Sequence, residues 1–354
     1  GDGDLVMQRL IDMAERGWVP DGLIRVGIRR LLGGRLRQID ADAVDPLERI
    51  EPLVREMIDS PVALEVHRAN DQHYEVPAAF FERVLGPHLK YSGCYWPEGV
   101  SLLAEAEAAM LELTCERAGL RDGMTVLDLG CGWGSLTLWM ARHYPRSRIL
   151  AVSNSAGQRR FIEGRCEELG LDNVRIVTSD MNSFSTDERF DRVVSIEMFE
   201  HMRNYRELLG RISSWLEPDG RVFIHVFCHR SHPYLFETDG RNDWMARYFF
   251  TGGLMPSHDL LTHFRDDLIV ERQWEVGGRH YEKTALAWVD NLDRSRGECL
   301  EILGEVYGSE SARLWLQRWR MFFFACAELF AFRDGREWFV SHSLLRHRGA
   351  GEVE

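Results

Sequence analysis

The hydrophobic pattern changes period near Met124. Before it, apolar positions recur at helical spacing. Leu5, Met7, Leu10, Ile11, Met13 and Ala14 mark a first helix, because residues three and four apart share a face. Asp21–Gln38 predicts a second, with Leu23, Ile24, Ile28, Leu31 and Leu32 beside Arg25, Arg29, Arg30, Arg35 and Arg37. An arginine-rich amphipathic helix can meet a membrane surface. The plainer expectation is a helix docked on an acidic protein, since Gly27, Gly33 and Gly34 weaken a free surface helix. The acidic stretch 40–59 predicts one more helix.

After Met124, short apolar runs alternate with amphipathic ones. TVLDLG, RILAVS, VRIVTSD, FDRVVSIE and GRVFIHVF predict strands, and LTLWMARHY and SAGQRRFIEGRCEELG predict helices between them. A strand every ~25 residues with helices between makes a parallel α/β sheet. The pattern breaks after His229, where an aromatic stretch runs to Ser257. That is too long for a simple connection, and such insertions are often lids. Leu260–Trp274 predicts a helix then a strand, Ala285–Phe332 two or three helices, and Glu337–Leu345 a last strand. The expected divisions are an N-terminal helical segment (1–76), a loop and leading helix (77–123), the sheet core (124–228), the aromatic insertion (229–257) and a C-terminal part (258–354). The insertion and the helices at both ends are expected to cap the ligand edge.

Net charge narrows the function. A balance of −13 over 354 residues disfavours nucleic acid, which needs positive charge facing phosphates. It also disfavours adsorption to anionic lipid. The most apolar stretch, Met321–Phe332, is shorter than a membrane span and carries Glu328. The chain opens on Gly1 with no signal peptide, and Gly1–Asp4 is expected to be a trimmed or tag-derived end. Its seven cysteines are scattered and form no CxxC. No disulfide framework and no metal site are expected, and a cytoplasmic location fits.

Candidate chemistry gathers at the strand ends, where such sheets bind ligands. Asp128, Ser153, Asp180, Glu197 and His225 all fall there. Asp128-Leu-Gly-Cys-Gly-Trp-Gly134 follows a strand and opens a helix. That context lifts it above an ordinary tight turn and suits a nucleoside or dinucleotide. Its GxGxG spacing, with no basic residue to meet a phosphate, leans away from NAD. Ser153, Asn154 and Gln158 could hold ribose hydroxyls, and Asp180 could accept from an adenine amino group. Together they point to S-adenosylmethionine (SAM). In Ser195–His201, Glu197 and Glu200 are three apart and would share a face if the segment turns helically. Paired carboxylates repel, and one with a raised pKa suits a base; the bland alternative is a solvated acidic turn. His225 is by default a core histidine, and Tyr281 a buried tyrosine, unless both line the same cavity. Trp244, Tyr248 and Phe249 could line an apolar or cationic pocket.

These residues resemble the cyclopropane-fatty-acid synthase superfamily of SAM-dependent methyltransferases, and within it the coclaurine N-methyltransferase branch. QHYEVP, YSGCYW, LDLGCGWGSLTL, SNSAGQ, IEMFEHMRNY, HVFCHRSHPY, YFFTGG, MPS, GRHYEKT and AELFAF echo it in order. The resemblance implies a class I, Rossmann-like fold with a seven-stranded, mostly parallel sheet and a helical cap. It implies that Tyr91 and Ser92 close over SAM, that Gly130 and Gly132 flank its methionine portion, and that Asn154 and Gln158 contact ribose. It places Asp180 and Met181 at adenine, and Glu197, Glu200 and His201 in a catalytic cluster. Glu200, His225 and Tyr281 match side chains that hold a bicarbonate base in the lipid enzymes. Two departures from the lipid branch stand out. Gly93 stands where the lipid branch has cysteine, with Cys94 one place on in the expected substrate pocket, and Glu197 stands where that branch has glycine. The expected reaction is N-methylation of a small aryl-alkylamine, with Glu200, helped by His201, taking the amine proton and Glu197 balancing charge. The alternatives are a cyclopropane synthase or lipid C-methyltransferase using bicarbonate, and a SAM-binding protein without turnover. The expected partner is a small-molecule amine, with no nucleic acid and no stable membrane insertion; a homodimer is left open.

Overall fold

A computed structural model of the chain describes residues 2–41, 45–64, 76–236 and 244–349. Most of the QHYEVP string and the middle of the aromatic insertion lie outside the described residues. Five strands form in the order expected along the chain: β1 (Thr125–Leu129), β2 (Arg148–Ser153), β3 (Val174–Thr178), β4 (Phe190–Ile196) and β5 (Leu216–His229). They run parallel to one another. A two-stranded ribbon, β6 (Tyr234–Leu235) and β7 (Leu254–Met255), lies in the insertion. β8 (Leu268–Val276) and β9 (Trp338–His347) complete the main sheet in the order β3-β2-β1-β4-β5-β9-β8, with β9 antiparallel to both its neighbours. Parallel strands covered on both faces read as continuous apolar runs, and β1 and β2 are buried along nearly their whole length.

The strand order reverses between β1 and β4. Connections leave these neighbours toward opposite sides and open a crevice at their carboxyl ends. The glycine turn after β1 and the carboxylates after β4 therefore meet across one gap. Helices α6 (Ser135–His143), α7 (Ala156–Leu169) and α8 (Tyr205–Trp215) pack on the sheet. Phe184, Tyr205, Leu208, Ile212 and Trp215 fill one face. Leu111, Leu136, Met140 and Phe223 fill part of the other.

The cap is aromatic. Helices α10 (Gly278–Arg294), α11 (Arg296–Tyr307) and α12 (Ala312–Ala331) join α4 (Ala78–Val84) in a cluster around Phe80, Phe81, Trp288, Trp319 and Phe323. Fully burying one such side chain stabilises by about 2–3 kcal/mol. The N-terminal helices α1 (Asp2–Glu15) and α2 (Asp21–Ala41) lie on α12. Arg25 and Arg29 bond the two oxygens of buried Glu328 at 2.5 and 2.8 Å, and Arg320 bonds Asp21 at 2.7 Å. Arg25 and Arg29 of α2 thus pair with the acidic cap residue Glu328, and Leu5, Leu10 and Met13 on α1 stay exposed. The acidic helix is α3 (Pro46–Ile58), the leading helix α5 (Leu103–Arg117), and the insertion holds short α9 (Trp244–Tyr248). Among the described residues no helix is long and apolar enough to cross a membrane.

Candidate active site

The turn after β1 needs its glycines. Gly130, Gly132 and Gly134 have φ of 77°, 55° and 87°, a region that L side chains avoid. A Cβ at Gly130 would stand 2.9 Å from Met198, and one at Gly134 2.8 Å from Ile162. At Gly132 it would meet nothing within 4 Å. Asp128 is buried below this turn and accepts a 2.7 Å bond from the Thr137 hydroxyl. Burial pushes its carboxyl up to about 7. The Ser135 hydroxyl, on the wall of the same cavity, is buried with no protein partner among the described residues.

The cleft has two joined parts. One is lined by Ser153, Asn154, Gln158, Asp180 and Met181. The other is lined by Tyr91, Ser92, Asp128, Glu197 and Tyr281. Gly130, Gly132, Gln158, Met198 and His201 line both. The residues expected to meet ribose and adenine thus share one end, and Glu197 and Tyr281, expected to do chemistry, share the other. Ser153 and Gln158 also bond each other, at 2.7 Å. Asp180, on the wall of that end, accepts from the Asn182 amide at 2.8 Å. A buried orphan hydroxyl, an open glycine turn and a polar second end fit SAM.

Glu197 is the centre of the chemical end. Its φ is 49°, uncommon for a residue with a Cβ. Glycine would adopt that backbone freely. This chain accepts the strain and gains a carboxylate. Glu197 Oε2 accepts from the Gly93 amide at 2.7 Å and faces His225 Nε2 at 3.0 Å, while Oε1 accepts from the Tyr281 hydroxyl at 2.6 Å. Gly93 is required here, since a Cβ would lie 2.9 Å from the Tyr281 ring. Burial alone would raise the Glu197 pKa. The His225 bond and field, the Tyr281 bond and the charge of Lys90 outweigh it and hold the group below the usual range.

Glu200 is different. Glu197 directly follows β4, whereas Glu200 sits in a short 3-10 turn, Phe199–His201, so the two carboxylates do not share a face. Glu200 is wholly buried and is not among the residues lining the cavity. Its Oε2 accepts from the Phe227 amide at 3.2 Å, and its Oε1 has no partner among the described residues. Burial, then the negative charge of Glu197, pushes its carboxyl well above the usual range and so toward the protonated form. His201 does line the cavity, against the Phe250 ring at 4.6 Å.

The expected substrate pocket is redrawn. Cys94 is buried behind the wall, its amide bonded to Thr284 and its thiol pushed up to about 12 by burial. Trp244 donates to Glu15, Tyr248 meets Arg318, and Phe249 stacks on Phe322 at 4.3 Å. These three tie the insertion to the N-terminal helix and α12. The cavity is lined instead by Met245, Phe250 and Phe236 of the insertion, with Phe227, Trp288, Phe322 and Phe330. The phase of a five-residue helix cannot be read from sequence, which explains the shift by one position.

Sequence reasoning missed three participants. Lys90 is buried and donates to Ser92 Oγ at 2.5 Å and to Gly93 O at 2.9 Å, bracing the loop over the cavity. Its place directly before YSGCYW was the available hint. His342 faces His225 across the β5–β9 pairing, and Arg117 meets His342. Only the long-range register reveals them.

Comparison with known proteins agrees with this geometry. The family described as mycolic acid cyclopropane synthetase matches residues 64–337. The chain is 36% identical to (S)-coclaurine N-methyltransferase of Thalictrum flavum subsp. glaucum, over 97% of this chain and 96% of that one. It is 33% identical to cyclopropane-fatty-acyl-phospholipid synthase of Escherichia coli (strain K12), over 77% of this chain and 66% of that one. A crystal structure of coclaurine N-methyltransferase bound to N-methylheliamine and SAH superposes with a TM-score of 0.92 at 35% identity, covering 96% of this chain and 99% of that chain. With the glycine turn, the polar nucleoside end and the anchored carboxylate all in one crevice, the chain belongs to the cyclopropane synthetase family of SAM-dependent methyltransferases.

Proposed function

We propose that the enzyme N-methylates a small aryl-alkylamine. The observation that carries this reading is the anchoring of Glu197. Under the lipid alternative, His225, Tyr281 and the residue-93 amide would help hold bicarbonate, yet the Glu197 carboxylate already takes those three donors. A carboxylate accepts about four hydrogen bonds. Three are internal, which leaves one for a substrate ammonium. The aromatic remainder of the cavity suits an aryl group. The relatives named for coclaurine lend the same support.

Bound SAM supplies an activated methyl group. The protein's task is positioning and proton handling. An alkylamine with a pKa near 10, like that of Lys, is mostly protonated at neutral pH and needs its lone pair freed. Glu197 draws the ammonium in and offsets positive charge on nitrogen in the transition state. His201, on the cavity wall, takes the proton. Glu200, set behind the wall and pushed toward its protonated form, is a structural acid in this scheme, so the proton-accepting role expected for it passes to His201. The insertion and the cap keep water out. A cytoplasmic location belongs to the same proposal and is supported by seven unpaired cysteines.

A screen of aryl-alkylamines against unsaturated phospholipids, reading S-adenosylhomocysteine release, tests this. Turnover on amines supports it. Turnover on phospholipid alone overturns it, and no turnover on either class favours a non-catalytic SAM-binding role.

A further inference from the structure

Glu197 is held by more than its immediate neighbours. A line of side chains runs behind it across the sheet. His225 Nε2 lies 3.0 Å from Glu197 Oε2. His342 Nε2 lies 3.1 Å from His225 Nδ1, and Arg117 Nη1 lies 2.8 Å from His342 Nδ1. The antiparallel register of β5 and β9 sets the two histidines opposite each other, and both are fully buried. Arg117 ends α5, half-buried, with its guanidinium 5.1 Å from the Trp274 ring centre.

We propose that Arg117 is a positioning residue that fixes, through His342 and His225, the proton arrangement that keeps Glu197 an anion. A guanidinium only donates hydrogen bonds. The ring nitrogen facing it, His342 Nδ1, must therefore be a bare acceptor. His342 then carries its one proton on Nε2 and donates it to His225 Nδ1. His225 in turn carries its proton on Nε2 and donates to Glu197 Oε2. Every bond in the line has one donor and one acceptor, and the direction is set from the arginine end. A doubly protonated ring at either position would set two N–H groups against each other, so both imidazoles are neutral.

The surroundings agree. Burial lowers the pKa of both rings. Lys90 and Arg117 add positive charge that also disfavours a second proton on either ring. The remaining charged or titratable groups facing the line are Tyr281, bonded to Glu197, Glu200, Cys94 and Cys326 near Glu197, and Tyr95, Glu116 and Arg272 near Arg117. Reversing the line would require Arg117 to accept a hydrogen bond, which it cannot do. Protonation of Glu197 at Oε2 would set O–H against N–H. Glu197 is thereby kept from being the proton acceptor, and the amine proton is left to His201. The proposal rests on the amine reading for its kinetic consequence alone; the ring tautomers can be measured without it.

Long-range ¹⁵N–¹H NMR on the full-length enzyme, with the two rings assigned by His225→Gln and His342→Gln, tests it. Both rings should show a proton on Nε2 and a bare Nδ1 from about pH 6 to 8. A proton on Nδ1 of either ring, or a doubly protonated ring, would overturn the proposal, whatever the substrate proves to be. Arg117→Met should bring a second tautomer into His342. It should lower kcat/KM for the amine about tenfold, with SAM affinity by calorimetry held within about twofold. Arg117→Lys restores a donor and should recover the single tautomer and most of the rate. A single His342 tautomer in Arg117→Met would also overturn it. Should that variant not fold, the wild-type tautomers and Arg117→Lys decide.

Discussion

Replacing Glu197 with Gln separates the charge at the site from its shape. The carboxylate receives three hydrogen bonds, two at Oε2 and one at Oε1. A glutamine can set its amide oxygen at the Oε2 position, where it still accepts from Gly93 and His225. Its NH₂ then faces the Tyr281 oxygen, which can turn to accept. The bonds survive and the charge does not. A hydrogen bond to a charged group contributes about 1 kcal/mol more than a neutral one. Three such differences cost the fold roughly 3 kcal/mol, and kcat/KM loses the charge-assisted contact with the substrate ammonium, about 2–3 kcal/mol, or roughly a hundredfold. Glu200→Gln offers the contrast. Burial and the charge of Glu197 push Glu200 toward its protonated form, and a protonated carboxylic acid is closely mimicked by an amide. That change should cost less than about fivefold, or under 1 kcal/mol. Steady-state methylation kinetics, with SAM affinity measured by calorimetry, give both numbers. If Glu200→Gln is the more damaging change, the division of roles between the two carboxylates is refuted.

Other expectations follow from the same geometry. Glu197→Gly should relieve the strained φ and empty a cradle of three donors, so formate or bicarbonate should restore part of the lost methylation rate; no rescue at any concentration would argue against the cradle. Asp128 has its carboxyl raised to about 7, so its favourable protonated state is full below the unfolded value near 4 and is lost as pH rises through 7, at a cost of up to about 4 kcal/mol. Asp128→Asn should therefore gain melting temperature relative to wild type on going from about pH 5 to pH 8, and a pH-independent difference in thermal melts would contradict the shift. Asp180→Ala should weaken SAM binding by about 1–3 kcal/mol, and unchanged affinity by calorimetry would remove Asp180 from the adenine end.

Local signals in the chain carried the frame. Each strand of the parallel core announced itself as an apolar run, and the glycine turn after β1 lay between a strand and a helix, where its positive φ values are needed. Asp180, Asn154 and Gln158 could be placed because strand ends of a parallel sheet share one edge. Residues settled by a few degrees of backbone or by distant register were harder. Glu197 and Glu200 stand three apart, as on a helix face, but the segment leaves the strand with φ of 49° before its turn begins. One carboxylate therefore reaches the cavity and the other is buried behind it. In the insertion, Met245 and Phe250 line the cavity rather than Trp244 and Phe249, because a short helix gives no periodic average to fix its phase. His342 is far from His225 in sequence, and no local pattern pairs them.

The central claim is that Glu197, held by Gly93, His225 and Tyr281, faces the nitrogen that receives the methyl group. A crystal structure with S-adenosylhomocysteine and the best amine from the substrate screen tests it most directly. The account predicts the amine nitrogen within about 4 Å of both the Glu197 carboxylate and the His201 ring, its aryl group among Phe227, Phe250 and Phe330, and the three donors still on Glu197. An acyl chain or detergent tail filling the cavity, with Glu197 swung away and bicarbonate on those donors, would contradict it.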